Sequence, residues 1–160
     1  MPKIVRHCVK QYMNELILLV AEDLPEEVFI LKRALERARF SAPVHFVRDG
    51  QEALDYFSGE GSFADRRQNP LPTLLLLDLK MPRLDGFQVL EWLRRQPGLR
   101  RLPVIVFTSS DVSQDIRRAY DLGANSYVVK PHASQDLESV ASRLQSYWFQ
   151  LNRHADLAPD

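Results

Sequence analysis

The chain is predicted to fold as an α/β domain around a parallel sheet. Three observations point there: short apolar runs of strand length recur five times, an amphipathic stretch follows each, and polar or charged residues close nearly every run. At 160 residues the length suits one domain with a core of its own. An apolar fraction of 45% beside 26% charge is that of an ordinary globule, not a disordered chain.

Residues 1–14 form a polar, weakly basic arm carrying Lys3, Arg6 and Lys10, with no clear period. Leu16 to Val20 reads as the first strand, apolar throughout as a strand buried on both faces would be. Pro25 suits the first turn of a helix, where its missing N–H costs nothing, and Val28, Leu31, Leu35 and Ala38 follow at helical spacing. Val44–Val47 is a second, shorter strand. Asp49 and Gly50 turn the chain into a helix with Ala53, Leu54 and Phe57. From Ser58 to Pro72 the Gly, Pro, Asn and charge content marks a loop.

Leu74–Leu77 is the third strand and ends at Asp78. A loop to Asp85 leads into a helix from Gly86 through Arg95. Val104–Phe107 is the fourth strand, closing on Thr108, Ser109 and Ser110. A helix over about 114–122 follows, with Gly123 at its left-handed C-terminal position. Ser126–Val129 is the fifth strand; then come Lys130, Pro131 and a last helix over about 134–151. The domain is expected over 15–152, with a tail over 153–160.

In an open parallel sheet, ligands bind beyond the carboxyl ends of the strands. Glu22, Asp23, Asp78, Thr108, Ser109 and Lys130 all stand at that edge. Three carboxylates in one crevice repel unless their pKa values rise or cations join them. An all-oxygen donor set with no nearby His or Cys favours a hard cation, and few carboxylates with room for water favour Mg²⁺. A carboxylate facing Mg²⁺, an ammonium and a hydroxyl is equipped for phosphoryl transfer. Asp78 is then the nucleophile, with Lys130, Thr108 and Ser109 around the phosphoryl oxygens.

Other classes fit less well. A net charge of zero argues against nonspecific nucleic-acid binding, which needs a basic surface. No apolar run approaches the roughly 20 residues of a membrane span. The single cysteine, Cys8, excludes an internal disulfide and makes a cytoplasmic location the default. The four histidines show no metal-ligand spacing. Asp49 and Asp85 read as turn or cap residues rather than ligands.

These residues in this order resemble the receiver domains of response regulators: Glu22-Asp23 after strand one, Asp78 after strand three, Thr108 after strand four and Lys130-Pro131 after strand five. The resemblance covers about residues 15–150. It implies a flavodoxin-like doubly wound sheet of order 2-1-3-4-5. It also implies phosphorylation of Asp78 by a histidine kinase, and Mg²⁺ held by Asp23, Asp78 and the carbonyl of Lys80. Glu22 would act through metal-bound water, and Thr108 and Tyr127 would form the switch. A cis Lys130–Pro131 bond is expected, and Gly86 would permit a turn that a side chain obstructs. Glu22 departs from the commoner Asp of the acidic pair, which lengthens the arm and keeps the charge.

The long loop over 59–72 and the aromatic helix end Tyr147-Trp148-Phe149 resemble small regulators paired with phytochrome-type kinases. Trp148 and Phe149 are open to two readings, cover for the core or a dimer surface. Too few residues follow the last helix for an output domain, so signalling would pass through a partner protein or a homodimer. The face expected to change is helix four, strand five and helix five, with Ile116, Tyr120, Tyr127, Val140, Leu144 and Tyr147. The alternative is a Mg²⁺-dependent small-molecule phosphohydrolase of the haloacid-dehalogenase type. Such enzymes place the nucleophile after the first strand with a second Asp two residues on, where this chain has Asp78 after the third strand and Lys80.

Overall fold

The computed structural model describes residues 15–157; the expected arm over 1–14 lies outside the described residues. Five strands alternate with five helices: β1 (Leu18–Ala21), α1 (Pro25–Arg37), β2 (Val44–Val47), α2 (Gly50–Ser58), β3 (Leu74–Leu77), α3 (Gly86–Arg95), β4 (Val104–Thr108), α4 (Ser113–Asp121), β5 (Ser126–Val129) and α5 (Ser134–Leu144). The sheet is wholly parallel, in the order β2-β1-β3-β4-β5.

β1 and β3 are apolar at every position, and β4 at all but its last residue, Thr108, because both faces are covered. On one face Leu19, Leu75, Leu77, Val104 and Val106 pack with Ala53 and Phe57 of α2, Val89, Leu90 and Leu93 of α3, and Ala119 of α4. On the other, Leu18, Val20, Leu74, Leu76, Ile105 and Phe107 pack with α1 and α5. Alternate side chains of one strand serve opposite layers, so the register fixes which residues reach the site edge.

Side-chain caps fix where α2 and α3 start. Asp49 accepts from the Glu52 N–H at 2.8 Å, and Asp85 with Gln88 forms a reciprocal capping box on α3. Gly123 follows α4 at φ +94°, the left-handed position its sequence context predicts.

The long loop before β3 is tied down. Arg66 donates to the carbonyls of Tyr56 and Phe57 at the end of α2, the Tyr56 hydroxyl donates to the Pro70 carbonyl, and Gly61–Phe63 makes a 3₁₀ turn.

The expected last helix is two elements, since α5 passes at Leu144 into a π-helical stretch, Gln145–Leu151. Phe149 meets Phe40 edge-on at 4.9 Å, and Trp148 and Phe149 pack on the core between α1 and α5. Of the two readings left open for them, core cover is what their packing shows; Tyr147 remains 49% exposed.

Candidate functional site

Beyond the carboxyl ends of β1, β3 and β5, Glu22, Asp23, Asp78 and Lys130 converge. Carboxylate oxygens of Glu22, Asp23 and Asp78 lie within 4.8 Å of one another. Glu22 and Asp78 are buried, and the Lys130 side chain is only 11% exposed.

The Lys130 ammonium donates to Glu22 Oε2 at 2.5 Å, to Asp78 Oδ2 at 3.2 Å and to Glu27 Oε2. Burial alone would lower the lysine pKa; its hydrogen bonds with Glu22 and Glu27 and the Asp78 charge overcome this and raise it above the ordinary range. Burial pushes the Glu22 carboxyl up to about 7 despite Lys130 and the Leu24 N–H that it also accepts.

Two polar atoms here are buried without a hydrogen-bond partner, Asp23 Oδ1 and Thr108 Oγ1. Unsatisfied buried oxygens are costly, and one on a member of the carboxylate cluster, Asp23, suits a cation ligand. The donors are hard oxygens, the chemistry of Mg²⁺ rather than zinc. Asp78 Oδ1 accepts from the Lys80 N–H at 3.4 Å, within the turn that follows Asp78.

Ser109 is exposed and lines a cleft of about 330 Å³ together with Glu22, Glu27, Phe107 and Lys130. Ser110, by contrast, is turned away: its hydroxyl donates to Asp115 Oδ2 at 2.6 Å. The half-buried Tyr127 donates its hydroxyl to the Ser110 carbonyl at 2.9 Å. That hydrogen bond ties β5 to the loop beyond Thr108.

Two expectations are corrected. No peptide bond is cis among the described residues, so Lys130–Pro131 is trans. Trans is the lower-energy isomer even before proline, by roughly 0.5–1 kcal/mol, and Lys130 reaches all three carboxylates with it. Leu144 is not a surface residue: it is 6% exposed, packed in the layer between α1 and α5. Gly86 does stand where a side chain would obstruct, because an added Cβ would lie 2.2 Å from the Asp78 carbonyl oxygen.

Sequence reasoning missed Glu27 as a partner of Lys130, because an acid in the first turn of a helix is already accounted for by the helix dipole. It also missed the ion pair between Arg83 and the buried Asp49, which braces the loop after Asp78 against the start of α2. Burial works against the Asp49 charge, but the Glu52 N–H and Arg83 hold its carboxyl below the usual range.

Comparison with known proteins agrees with this geometry. The response regulator receiver domain family matches residues 18–142. A response regulator of red light signalling in R. palustris, RPA3017, superposes with a TM-score of 0.83 at 39% identity, over 88% of this chain and 98% of that one. The phosphorylated cyanobacterial phytochrome response regulator RcpA gives 0.81 at 30% identity, over 89% and 99%. The Mn²⁺-bound form of Rcp1, a response regulator of Synechocystis, gives 0.77 at 28% identity, over 87% and 98%. With the sheet order, the acidic crevice and the strand-five lysine all in place, the chain belongs to the response regulator receiver domain family, among relatives of the phytochrome type.

Proposed function

We propose that this response regulator accepts a phosphoryl group on Asp78 from a histidine kinase, of the phytochrome-associated kind, in the cytoplasm. The observation that carries it is the Asp78 carboxylate facing the Lys130 ammonium, whose side chain is 11% exposed, with the partnerless buried oxygens of Asp23 and Thr108 at the same end of the sheet. An Asp78 oxygen attacks phosphorus, the P–N bond of the phosphohistidine breaks, and its electron pair stays on the imidazole nitrogen. Lys130 neutralises charge on the transferred oxygens, while Thr108 Oγ1 and Ser109 hydrogen-bond to them. The phosphohydrolase alternative gains no support, since Asp78 ends the third strand and the relatives are signalling proteins.

Asp23, Asp78 and the Lys80 carbonyl would hold Mg²⁺, with Glu22 reaching it through water. Mg²⁺, when bound, supplies positive charge opposite the phosphoryl oxygens. Binding should also stabilise the fold, by about 2.7 kcal/mol at a hundredfold excess over Kd. Glu22 makes this pH-dependent. Its raised pKa contributes stability that is full below its ordinary 4.5 and lost as pH rises through about 7. Thermal melts should therefore show a larger Mg²⁺ gain at pH 8 than at pH 6, and Asp23→Asn should remove most of it. Equal gains in native and variant protein would take Asp23 out of the ligand set.

The acceptor test is intact mass after incubation with acetyl phosphate and Mg²⁺, expected to show one added phosphoryl group. No addition with any small donor would count against the reading.

Downstream, Thr108 would move toward the phosphoryl group and Tyr127 would leave the Ser110 carbonyl to turn in behind it. The face this alters is α4–β5–α5, where Tyr120 and Val129 are already exposed. A homodimer through this face is one way to read the change, and a downstream protein is the other. Beryllofluoride should raise the sedimentation coefficient, and Tyr120→Arg should weaken association about thirtyfold, as loss of an interface hot spot does. An unchanged monomer with bound beryllofluoride would leave the partner-protein route.

A further inference from the structure

Lys130 has more carboxylates than phosphoryl chemistry at Asp78 needs. Its three N–H donors match three acceptors, Glu22, Glu27 and Asp78, and Asp78 is the most distant at 3.2 Å. Glu27 differs from the other two. It comes from the first turn of α1 rather than a strand end, and its side chain is 36% exposed against 4% for Glu22. It can therefore be rehydrated when it lets go, whereas Glu22 would be left buried and unpaired. The same contact ties the start of α1 to the loop between β5 and α5, at the cleft that Ile30, Phe107 and Leu137 also line.

We propose that Glu27 is a positioning residue that holds one of the three Lys130 N–H donors in the unphosphorylated state and competes for it with the incoming phosphoryl group. This rests on the reading of Asp78 as acceptor. When a phosphoryl group on Asp78 brings new anionic oxygens, Lys130 turns to them and Glu27 is released to solvent. Release also unties α1 from the β5–α5 loop, so the cleft becomes a part of the surface that differs between the two states. Glu27 sets how much of the Lys130 charge is available to the incoming phosphoryl group, and with it the ease of modification.

The test is beryllofluoride affinity with Mg²⁺, followed by intrinsic fluorescence, in the native protein, Glu27→Gln and Glu26→Gln. Glu26 is exposed one residue earlier in the same turn, so its variant removes a nearby charge without touching Lys130. Glu27→Gln should tighten binding by about twofold to fivefold, the range for a partly exposed ion pair, and speed phosphorylation by acetyl phosphate in the same proportion. Glu26→Gln should change either by less than the Glu27 variant does. Loss of a merely structural contact would lower the melting temperature without tightening binding, and that result overturns the proposal. Equal tightening in both variants overturns it too, by showing a general charge effect. If the native protein binds no beryllofluoride, it is the Asp78 reading that fails, whereas native binding with an unaltered Glu27→Gln removes Glu27 alone.

Discussion

Asp78→Asn is expected to abolish phosphoryl incorporation from acetyl phosphate and to eliminate the beryllofluoride response, while leaving the fold intact. The substitution keeps the shape of the side chain and removes its nucleophile, since an amide offers neither the charge nor an oxygen able to form an acyl phosphate. The fold should tolerate it for an electrostatic reason. Glu22, Asp23 and Asp78 crowd within 4.8 Å, and Lys130 retains Glu22 and Glu27 after the change. Without metal, removing one of three like charges relieves repulsion, so the variant should melt at or above the native temperature. With Mg²⁺ the order should reverse, because the native site gains a ligand that the variant has weakened. Intact-mass spectrometry reads the first effect and paired melts the second. A phosphoryl group that persists on Asp78→Asn would place the acceptor elsewhere, and a variant that fails to fold would mean that Asp78 has a structural role this geometry does not show.

Much of this site is written in local sequence. An apolar run that must be buried on both faces allows little but a central parallel strand, so Leu74–Leu77 announced β3, and Val44–Val47 matched β2 at both ends. The residue closing each run then falls at the sheet edge by geometry, which is why the sequence alone groups Asp78, Thr108 and Lys130. Contacts that depend on helix placement were not legible. Glu27 looks like an ordinary first-turn acid, favourable there for the helix dipole alone, and only the approach of α1 to the end of β5 brings it to Lys130. Arg83, with φ +66°, gives no sequence sign that it will reach Asp49 from the loop after the acceptor. Leu144 belongs to the inward stripe of α5, since Leu137, Ala141 and Leu144 stand at i, i+4 and i+7 and all three are buried, so plain helical spacing contradicts its place on an exposed face.

Gly86→Ala tests how tightly the acceptor loop is held, and propensity alone predicts the wrong sign. Gly86 opens α3, and in a helix Ala is favoured over Gly by about 1 kcal/mol. Packing overrides this. A Cβ would fall 2.2 Å from the Asp78 carbonyl oxygen and 2.8 Å from Leu79 Cα, both backbone atoms that no rotamer change can clear. The Gly86 N–H also donates to the Leu79 carbonyl at 2.9 Å, so α3 cannot back away without losing that bond. Overpacking of this kind costs about 1–3 kcal/mol. Relief must come from shifting the peptide just after Asp78, which should carry the Asp78 carboxylate away from Lys130. Gly86→Ala should therefore lower stability by that amount and weaken beryllofluoride binding by about tenfold, the equivalent of 1.4 kcal/mol. Gly61→Ala separates space from backbone conformation: Gly61 has φ +57° with nothing near its missing Cβ, so it should cost about 1 kcal/mol in strain and leave binding unchanged. Denaturant titration and fluorescence measure both variants. If Gly86→Ala keeps native affinity while losing stability, the loop after Asp78 moves independently of the carboxylate, and the coupling between α3 and the acceptor is absent.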